Sequence, residues 1–491
     1  MMNMKRYHPL SILFEFAAFL KSYAILAFVV VVNINSDSWF AWLGRILLIA
    51  AVALTLIASI MKWFTRKYAA GELSFHLKSG IFEKTEQTIY YDKIQNVQRH
   101  TSFLHKLFKM TSLTFETGST GMNSNVKFDV LTRSEANRLE SFVKEFMYDE
   151  SVTNLQESES VLNKPKRLVH FTPTRSDTVK ASFTSFSFLL ILVIGASLFS
   201  KINQLFDVED YVEGWLESVL TSGWLIAGVT AVLVALAVTV GIIWTFVKYG
   251  NYEIASDEKR IYISKGVLDE TAFSIAKNRV QAVEITQSVM KRILGLAEVK
   301  LISAGNLGED EDEVSTLYPF LPVNRAYAMI AELLPDYEVI TDSSRLPRRS
   351  LIARLIKPYW LWLIITVLLT YFRPAVFKLD IGWAIVSIAL LLLIILSRIL
   401  GFWNTSYALR GRFIQLSEGV FGKTTFITRR DKVIEIFVKR TKLQQWFGLA
   451  TIGFINRAKP VRYETLADLP MKEAGEFADW YAERAEEVQL Q

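Results

Sequence analysis

Arg429, Arg430, Lys432, Lys439, Arg440 and Lys442 lie close together near the C-terminal end of a 491-residue chain. Cations at this density suit contact with an anionic surface, at about 1 kcal/mol for each residue near charged headgroups. The surrounding segment, 404–469, holds twelve basic against five acidic residues, a net +7. Two comparable segments carry +3 (66–132) and −3 (248–321). The six are therefore the candidate anionic-lipid contact. An ordinary excess of cytoplasmic positive charge is the competing explanation. Along a strand successive side chains alternate, so such a run divides between two faces.

Bond-making chemistry finds little to work with. Five histidines stand at 8, 76, 100, 105 and 170. His100 and His105 are neighbours but fall short of a metal ligand set, and they read as polar surface. The chain has no cysteine, which excludes disulfides, thiolate metal sites and cysteine nucleophiles. No glycine-rich phosphate loop precedes a helix, no Gly-x-Ser-x-Gly elbow occurs, and no serine has a recognisable paired base. The acidic run Glu309 to Glu313 fits a solvated loop. The expectation is a protein that is not an enzyme, with no catalytic residue, cofactor or metal.

The elements that would position the cations are set by hydropathy. Ser218 to Val247 is uncharged over 30 residues and Ala181 to Ser200 over 20. A hydrocarbon core takes about 20 helical residues to cross. Six spans are expected in three pairs: Phe14 to Asn33 with Trp42 to Phe64, Phe183 to Ser200 with Trp224 to Val247, and Pro358 to Phe377 with Ile381 to Trp403. Lys21 lies in the first span and Arg373 near the end of the fifth. No small-residue cleavage pattern follows the first apolar stretch, which is read as a membrane helix. Lys5, Arg6, Lys62, Arg66 and Lys67 flank the first pair. Lys164, Lys166, Arg167, Arg175 and Lys180 precede the second, and Arg345, Arg348, Arg349, Arg354 and Lys357 the third. The opposite loops carry little positive charge, with only Asp37 in one and Lys201 against Asp207, Glu209, Asp210, Glu213 and Glu217 in another. The positive-inside rule places both termini and all larger segments in the cytoplasm. The net charge of +6 then reflects orientation and not nucleic-acid binding.

Each pair is followed by a recurring segment. Copies aligned on Gly80, Gly266 and Gly419 show a basic residue thirteen positions on (Lys93, Arg279, Lys432). At plus 22 stand the hydroxyls Ser102, Ser288 and Thr441. At plus 28 stand Phe108, Leu294 and Phe447, and at plus 33 Leu113, Val299 and Ile452. Phe447-Gly448-Leu449-Ala450 matches Leu294-Gly295-Leu296-Ala297, whereas the first copy has Lys109 in place of the glycine. Local patterns predict hairpins at Ile254 to Ile263 and Tyr407 to Leu416, and alternating strands such as Val433 to Val438. They also predict a short helix at Ser102 to Phe108 and its equivalents. Amphipathic helices are expected at Ser134 to Tyr148, Val323 to Leu334 and Met471 to Glu486.

The glycine turn, the basic residue, the hydroxyl before a short helix and the Phe/Leu-Gly-Leu-Ala turn resemble the bacterial pleckstrin-homology-like, membrane-flanking domain. Three copies interleaved with six helices resemble the YdbT-like multi-pass membrane proteins. The resemblance implies a pleckstrin-homology-type split barrel, a plasma-membrane location and a smaller membrane protein of the same family as partner. The expected fold is an α+β membrane protein: six transmembrane α-helices in three hairpins, each followed by a pleckstrin-homology-like β-barrel or sheet domain with a C-terminal helix. Its parts are hairpin 10–65, domain 66–148, linker 149–180, hairpin 181–247, domain 248–336, linker 337–355, hairpin 356–403 and domain 404–486. The function expected is a scaffold at the inner leaflet that binds membrane lipids or a protein partner, in envelope maintenance or protection. The alternative is a transporter or lipid-handling protein using the six-helix bundle, with Lys21, Arg45 and Gly241 as its polar or irregular positions.

Overall fold

The computed structural model describes residues 4–24, 27, 38–81, 83–117, 125–149, 167–174, 176–177, 180–181, 223–303, 316–372, 382–458 and 461–484. The expected third span, the loop after it, Glu309 to Glu313, Arg373 and Lys378 lie outside the described residues, as does most of 149–180. The chain divides into two compact units, Met1–Ala276 and Lys277–Gln491.

In the first unit β1 (Lys5–Arg6) precedes helices α1 (Ser11–Ser22) and α2 (Trp39–Thr65). Strands β2 (Lys67–Ala70), β3 (Ser74–Ser79), β4 (Thr85–Tyr90) and β5 (Ile94–Thr101) follow. The first copy closes with α3 (Phe103–Leu107), β6 (Met110–Thr117), β7 (Asn125–Thr132) and α4 (Arg133–Asp149). The second copy opens in the same unit with β8 (Leu168–Phe171), α5 (Gly223–Tyr249), β9 (Glu253–Ser256), β10 (Arg260–Lys265) and β11 (Glu270–Ala276).

The second unit begins with β12 (Val280–Gln287), α6 (Val289–Ile293), β13 (Leu296–Ser303), β14 (Thr316–Pro322) and α7 (Val323–Leu333). The third copy is β15 (Ser344–Arg345), α8 (Arg348–Ile356), α9 (Trp360–Phe372), α10 (Gly382–Asn404), β16 (Ser406–Arg410), β17 (Phe413–Glu418) and β18 (Lys423–Arg429). It ends with β19 (Val433–Lys439), α11 (Lys442–Trp446), β20 (Leu449–Asn456), β21 (Arg462–Pro470) and α12 (Met471–Ala482).

Among the described residues, Trp42–Thr65, Arg348–Phe372 and Gly382–Asn404 are long and apolar enough to cross a membrane. Their apolar side chains, such as Ile49, Leu54, Val367 and Leu392, are exposed, as a lipid-facing surface requires. Glu15 and Arg398, near the helix ends, are paired. Glu15 faces Arg66 at 3.2 Å and Lys62 at 3.8 Å. Arg398 in α10 donates to the carbonyls of Arg354 (2.9 Å) and Pro358 (3.1 Å), and its guanidinium stacks 3.9 Å over Tyr359. Such pairing is what makes a cation tolerable beside hydrocarbon.

The β-rich segments carry the core. Phe75, Tyr91, Phe115 and Phe128 are fully buried in the first copy and packed by Leu139 and Val143 of α4. Phe426, Phe454, Phe477 and Trp480 form the corresponding cluster in the third. Each such side chain contributes about 1.5–3 kcal/mol on leaving water. The plus-33 residues Leu113, Val299 and Ile452 are core positions on the central strands β6, β13 and β20.

Among the described residues every strand pair is antiparallel, and four sheets result: β1-β2-β3-β4, β7-β6-β5-β11-β10-β9-β8, β14-β13-β12-β18-β17-β16-β15, and β19-β20-β21. Two features have no trace in the sequence patterns. A strand ahead of the apolar helices joins the sheet that follows them: β1 pairs with β2 across α1 and α2, β8 with β9 across α5, and β15 with β16 across α8 to α10. The two seven-stranded sheets also run across the repeat limits, through β5·β11 and β12·β18.

Candidate membrane-facing interface

The glycine turns of the second and third copies sit against the ends of apolar helices. In the second copy Gly266 N–H donates to Gly250 O (2.8 Å) and Val267 N–H to Val247 O (3.1 Å), seating the turn on the end of α5. In the third, Asn404 at the end of α10 donates through Nδ2 to Val420 O at 2.7 Å. Gly266 has φ +100°, and a Cβ there would stand 1.9 Å from Asp269 O, so the turn requires glycine. Leu268, Val420 and Phe421 project from these turns and are exposed.

The plus-22 hydroxyls are helix N-caps. Ser102, Ser288 and Thr441 accept from the backbone N–H of His105 (3.4 Å), Lys291 (3.5 Å) and Gln444 (3.2 Å). Thr441 completes a capping box, its N–H donating to Gln444 Oε1 at 3.0 Å. The caps fix short helices whose outer side is apolar. Phe103, Leu107 and Phe108 are exposed on the first, Val289, Ile293 and Leu294 on the second. Trp446 on the third is 82% exposed. This ridge was missed in the sequence. Its signal is the recurrence of large apolar residues four apart (Phe103 with Leu107, Val289 with Ile293) within a segment too short to bury them.

The short helix of one copy lies on the glycine turn of the next. Phe103 N–H donates to Asp269 Oδ1 (2.8 Å), and Lys106 pairs with Glu270 (2.7 Å) and reaches Val267 O. Arg292 donates to Asn404 Oδ1 at 2.9 Å. Exposed apolar side chains and cations thus come together beside the end of α5 within the first unit and, separately, beside the end of α10 within the second.

The six candidate cations do not make one patch. Arg429 ends β18 and is held by Asp431 at 2.8 and 3.2 Å. Arg430 is buried in the following turn, donating to Trp480 O at 2.8 Å and pairing with Glu483. Lys432 donates to Asn278 O at 3.3 Å. Lys439, Arg440 and Lys442 are exposed around the junction of β19 and α11. Arg440 donates from Nε to Leu449 O (3.1 Å), and the Lys439 ammonium lies 4.2 Å over Phe437. These three are the cations of the run that sit beside an apolar ridge.

His105 departs from its reading as polar surface. It is buried against the ring of Phe14, 4.1 Å away between centroids. Its Nε2 donates to Asp129 O (2.9 Å) and its Nδ1 accepts from Ser102 Oγ (2.6 Å), so both ring nitrogens are occupied by structural bonds. Burial holds its pKa below the ordinary value, outweighing the Asp129 carbonyl and carboxylate. Lys21 is exposed at the end of α1, and Gly241 is buried within α5. Among the described residues no three His, Asp or Glu side chains are grouped to hold a metal ion.

The family described as Bacterial PH domain matches three segments of the chain, residues 17–147, 203–336 and 361–485. The chain is also similar to the UPF0699 transmembrane protein YdbT of Bacillus subtilis (strain 168), with 23% identity over 97% of this chain and 98% of that protein. No solved structure matches.

Proposed function

This chain belongs to the bacterial PH domain family and carries its unit three times, and from that premise we propose a non-enzymatic scaffold of the plasma membrane. Six helices in three hairpins hold the β-rich segments at the cytoplasmic leaflet, where they contact anionic headgroups and protein partners. A smaller membrane protein of the same family is one such partner, and envelope maintenance or protection is the cellular role. The hairpin layout is supported by the strands that bracket each helix pair. Because β1 bonds to β2, β8 to β9 and β15 to β16, chain entering and leaving a pair lies on one side, which needs an even number of crossings. The basic flanks favour the cytoplasm for that side.

The observation that carries the lipid reading is the exposed apolar short helix with cations beside it, Trp446 with Lys439, Arg440 and Lys442 in the third copy. An apolar body with charged groups around it suits the headgroup boundary. The test uses the cysteine-free chain. Trp446→Cys, labelled with a polarity-sensitive dye in the full-length protein, goes into nanodiscs of phosphatidylcholine or phosphatidylglycerol. Brominated acyl chains should quench the dye, more strongly with the anionic lipid. Replacing Lys439, Arg440 and Lys442 with Gln should remove that preference, which at about 1 kcal/mol each amounts to roughly 100-fold. A dye indifferent to bromination and headgroup would exclude the contact. Single cysteines at Asp37 and Asp257 should label from opposite faces of sealed vesicles, and labelling from one face would exclude the hairpins. Loss of the gene should alter sensitivity to envelope stress, and unchanged sensitivity would remove the cellular role.

A further inference from the structure

The two joints between copies are the same joint. In the first, Thr271 lies opposite His100 and Phe273 opposite Gln98. In the second, Thr424 lies opposite Thr286 and Phe426 opposite Glu284. Counted from Gly80, Gly266 and Gly419, these are identical positions, so the register is conserved between joints. Each copy therefore has two complementary edges. One is the strand after the glycine turn (β4, β11, β18), and the other is the strand before the short helix (β5, β12, β19). Three copies in line use two of each kind. Among the described residues, the backbone ladder of β4 is with β3 and that of β19 with β20.

We propose that these two open edges bind each other between chains, β19 of one copy taking β4 of a second copy of this chain in the register of the internal joints. Thr85 then lies opposite Lys439, Glu86 opposite Val438 and Gln87 opposite Phe437. The burial pattern supports this. Ile285, inside the second joint, is 3% exposed, whereas Val438 at the equivalent position of β19 is 39% exposed and Ile434 is 50%. Soluble sheet edges are ordinarily blunted by proline, inward charge or a bulge. The strand β19 reads Val-Ile-Glu-Ile-Phe-Val-Lys without proline. Its one irregularity, at Val433/Glu435, recurs at Ile94/Asn96 and Val280/Ala282 in the strands that do pair.

The short helix fits the same docking. In the first joint Phe103 N–H donates to Asp269. Lys442 occupies the position of Phe103 in the third copy and Glu83 that of Asp269 in the first. Docking therefore brings the start of α11, with Arg440 and Lys442, onto the glycine turn that carries Glu83. The interface is heterologous, so it closes into a ring where the rotation permits and otherwise extends as a filament. The inference rests on strand register and stands apart from any lipid contact of the short helix.

Cysteine cross-linking in native membranes tests it. Two differently tagged full-length copies, one Thr85→Cys and one Lys439→Cys, are co-expressed and oxidised with copper–phenanthroline. The pair Glu86→Cys with Val438→Cys is a second in-register test at exposed positions. A disulfide-linked dimer carrying both tags is expected from each pair. The off-register pair Thr85→Cys with Val438→Cys should yield on the order of tenfold less, because its side chains point to opposite faces. The proposal is overturned if neither in-register pair cross-links, if the off-register pair does so equally, or if the cysteines are captured instead by a smaller protein.

Discussion

Lys109 occupies a conformation that the other two copies give to glycine. Its φ is +56°, beside +67° at Gly295 and +64° at Gly448. The turn is otherwise the same: Lys109 N–H donates to Lys106 O at 3.1 Å, and the glycines donate equivalently to Arg292 O and Gln445 O at 3.2 Å. A side chain meets no steric barrier here, since a Cβ built on Gly295 has nothing within 4 Å. The penalty at Lys109 is therefore conformational. A left-handed L-residue costs about 1–2 kcal/mol, and glycine returns about 0.5–1 kcal/mol through its greater freedom when unfolded. Lys109→Gly should stabilise the first copy by about 0.5–1 kcal/mol, and Gly295→Ala should destabilise the second by a similar amount. Pulse proteolysis of the full-length protein in detergent across a urea series reads the folded fraction directly. A Lys109→Gly protein no more resistant than the parent would refute the reasoning. It would mean that the exposed lysine side chain contributes an interaction larger than the strain.

Asp468 is fully buried, and its carboxylate accepts from Lys357 Nζ and Gln444 Nε2 at 2.9 Å each and from Arg354 Nε at 3.2 Å. Asp468→Asn keeps the shape and tolerates φ +67° but strands the cations. The expected loss is about 3–5 kcal/mol, and a loss under about 1 kcal/mol in urea unfolding would show the cluster to be dispensable. The His105 pKa lies below its ordinary 6.5, so the unfolded chain binds the extra proton between the two values. Stability from this site is complete above 6.5 and falls as pH drops toward the lowered value. Unfolding followed from neutral to mildly acidic pH should show that slope in the parent and a flatter one in His105→Gln; parallel profiles would clear His105 of the effect. Gly266→Ala places a Cβ 1.9 Å from Asp269 O at φ +100° and should cost about 1–3 kcal/mol, read as a lowered apparent melting temperature. An unchanged melting temperature would mean that the turn relaxes freely.

Much of the molecule was legible because its signals are local. Long uncharged runs mark apolar helices, since burying charge in hydrocarbon is costly wherever it occurs. The hydroxyls at Ser102, Ser288 and Thr441 announced helix starts because a cap needs only its own next turn. The amphipathic pattern expected at Ser134 to Tyr148 is realised in α4, whose Leu139, Phe142 and Val143 meet the core at helical spacing. The candidate cations were only half legible. Proximity in sequence grouped Arg430 with Lys442, but Arg430 turns inward to Trp480 and Glu483 while Lys442 stays exposed. That difference depends on α12, packed from a distant part of the chain.

The sequence by itself determined the threefold repeat, the apolar helices, the hairpins at Asp257 and Gly411, and the caps. Each depends on side chains a few residues apart. Only the tertiary structure decided that β5 joins β11, that β12 joins β18, and that β1, β8 and β15 cross back to the sheets beyond the apolar helices that follow them. Those joints are made by backbone N–H and C=O groups, which every residue but proline carries alike. Pairing between distant strands therefore leaves almost no mark on residue type, and it is the packed fold that selects which edges meet.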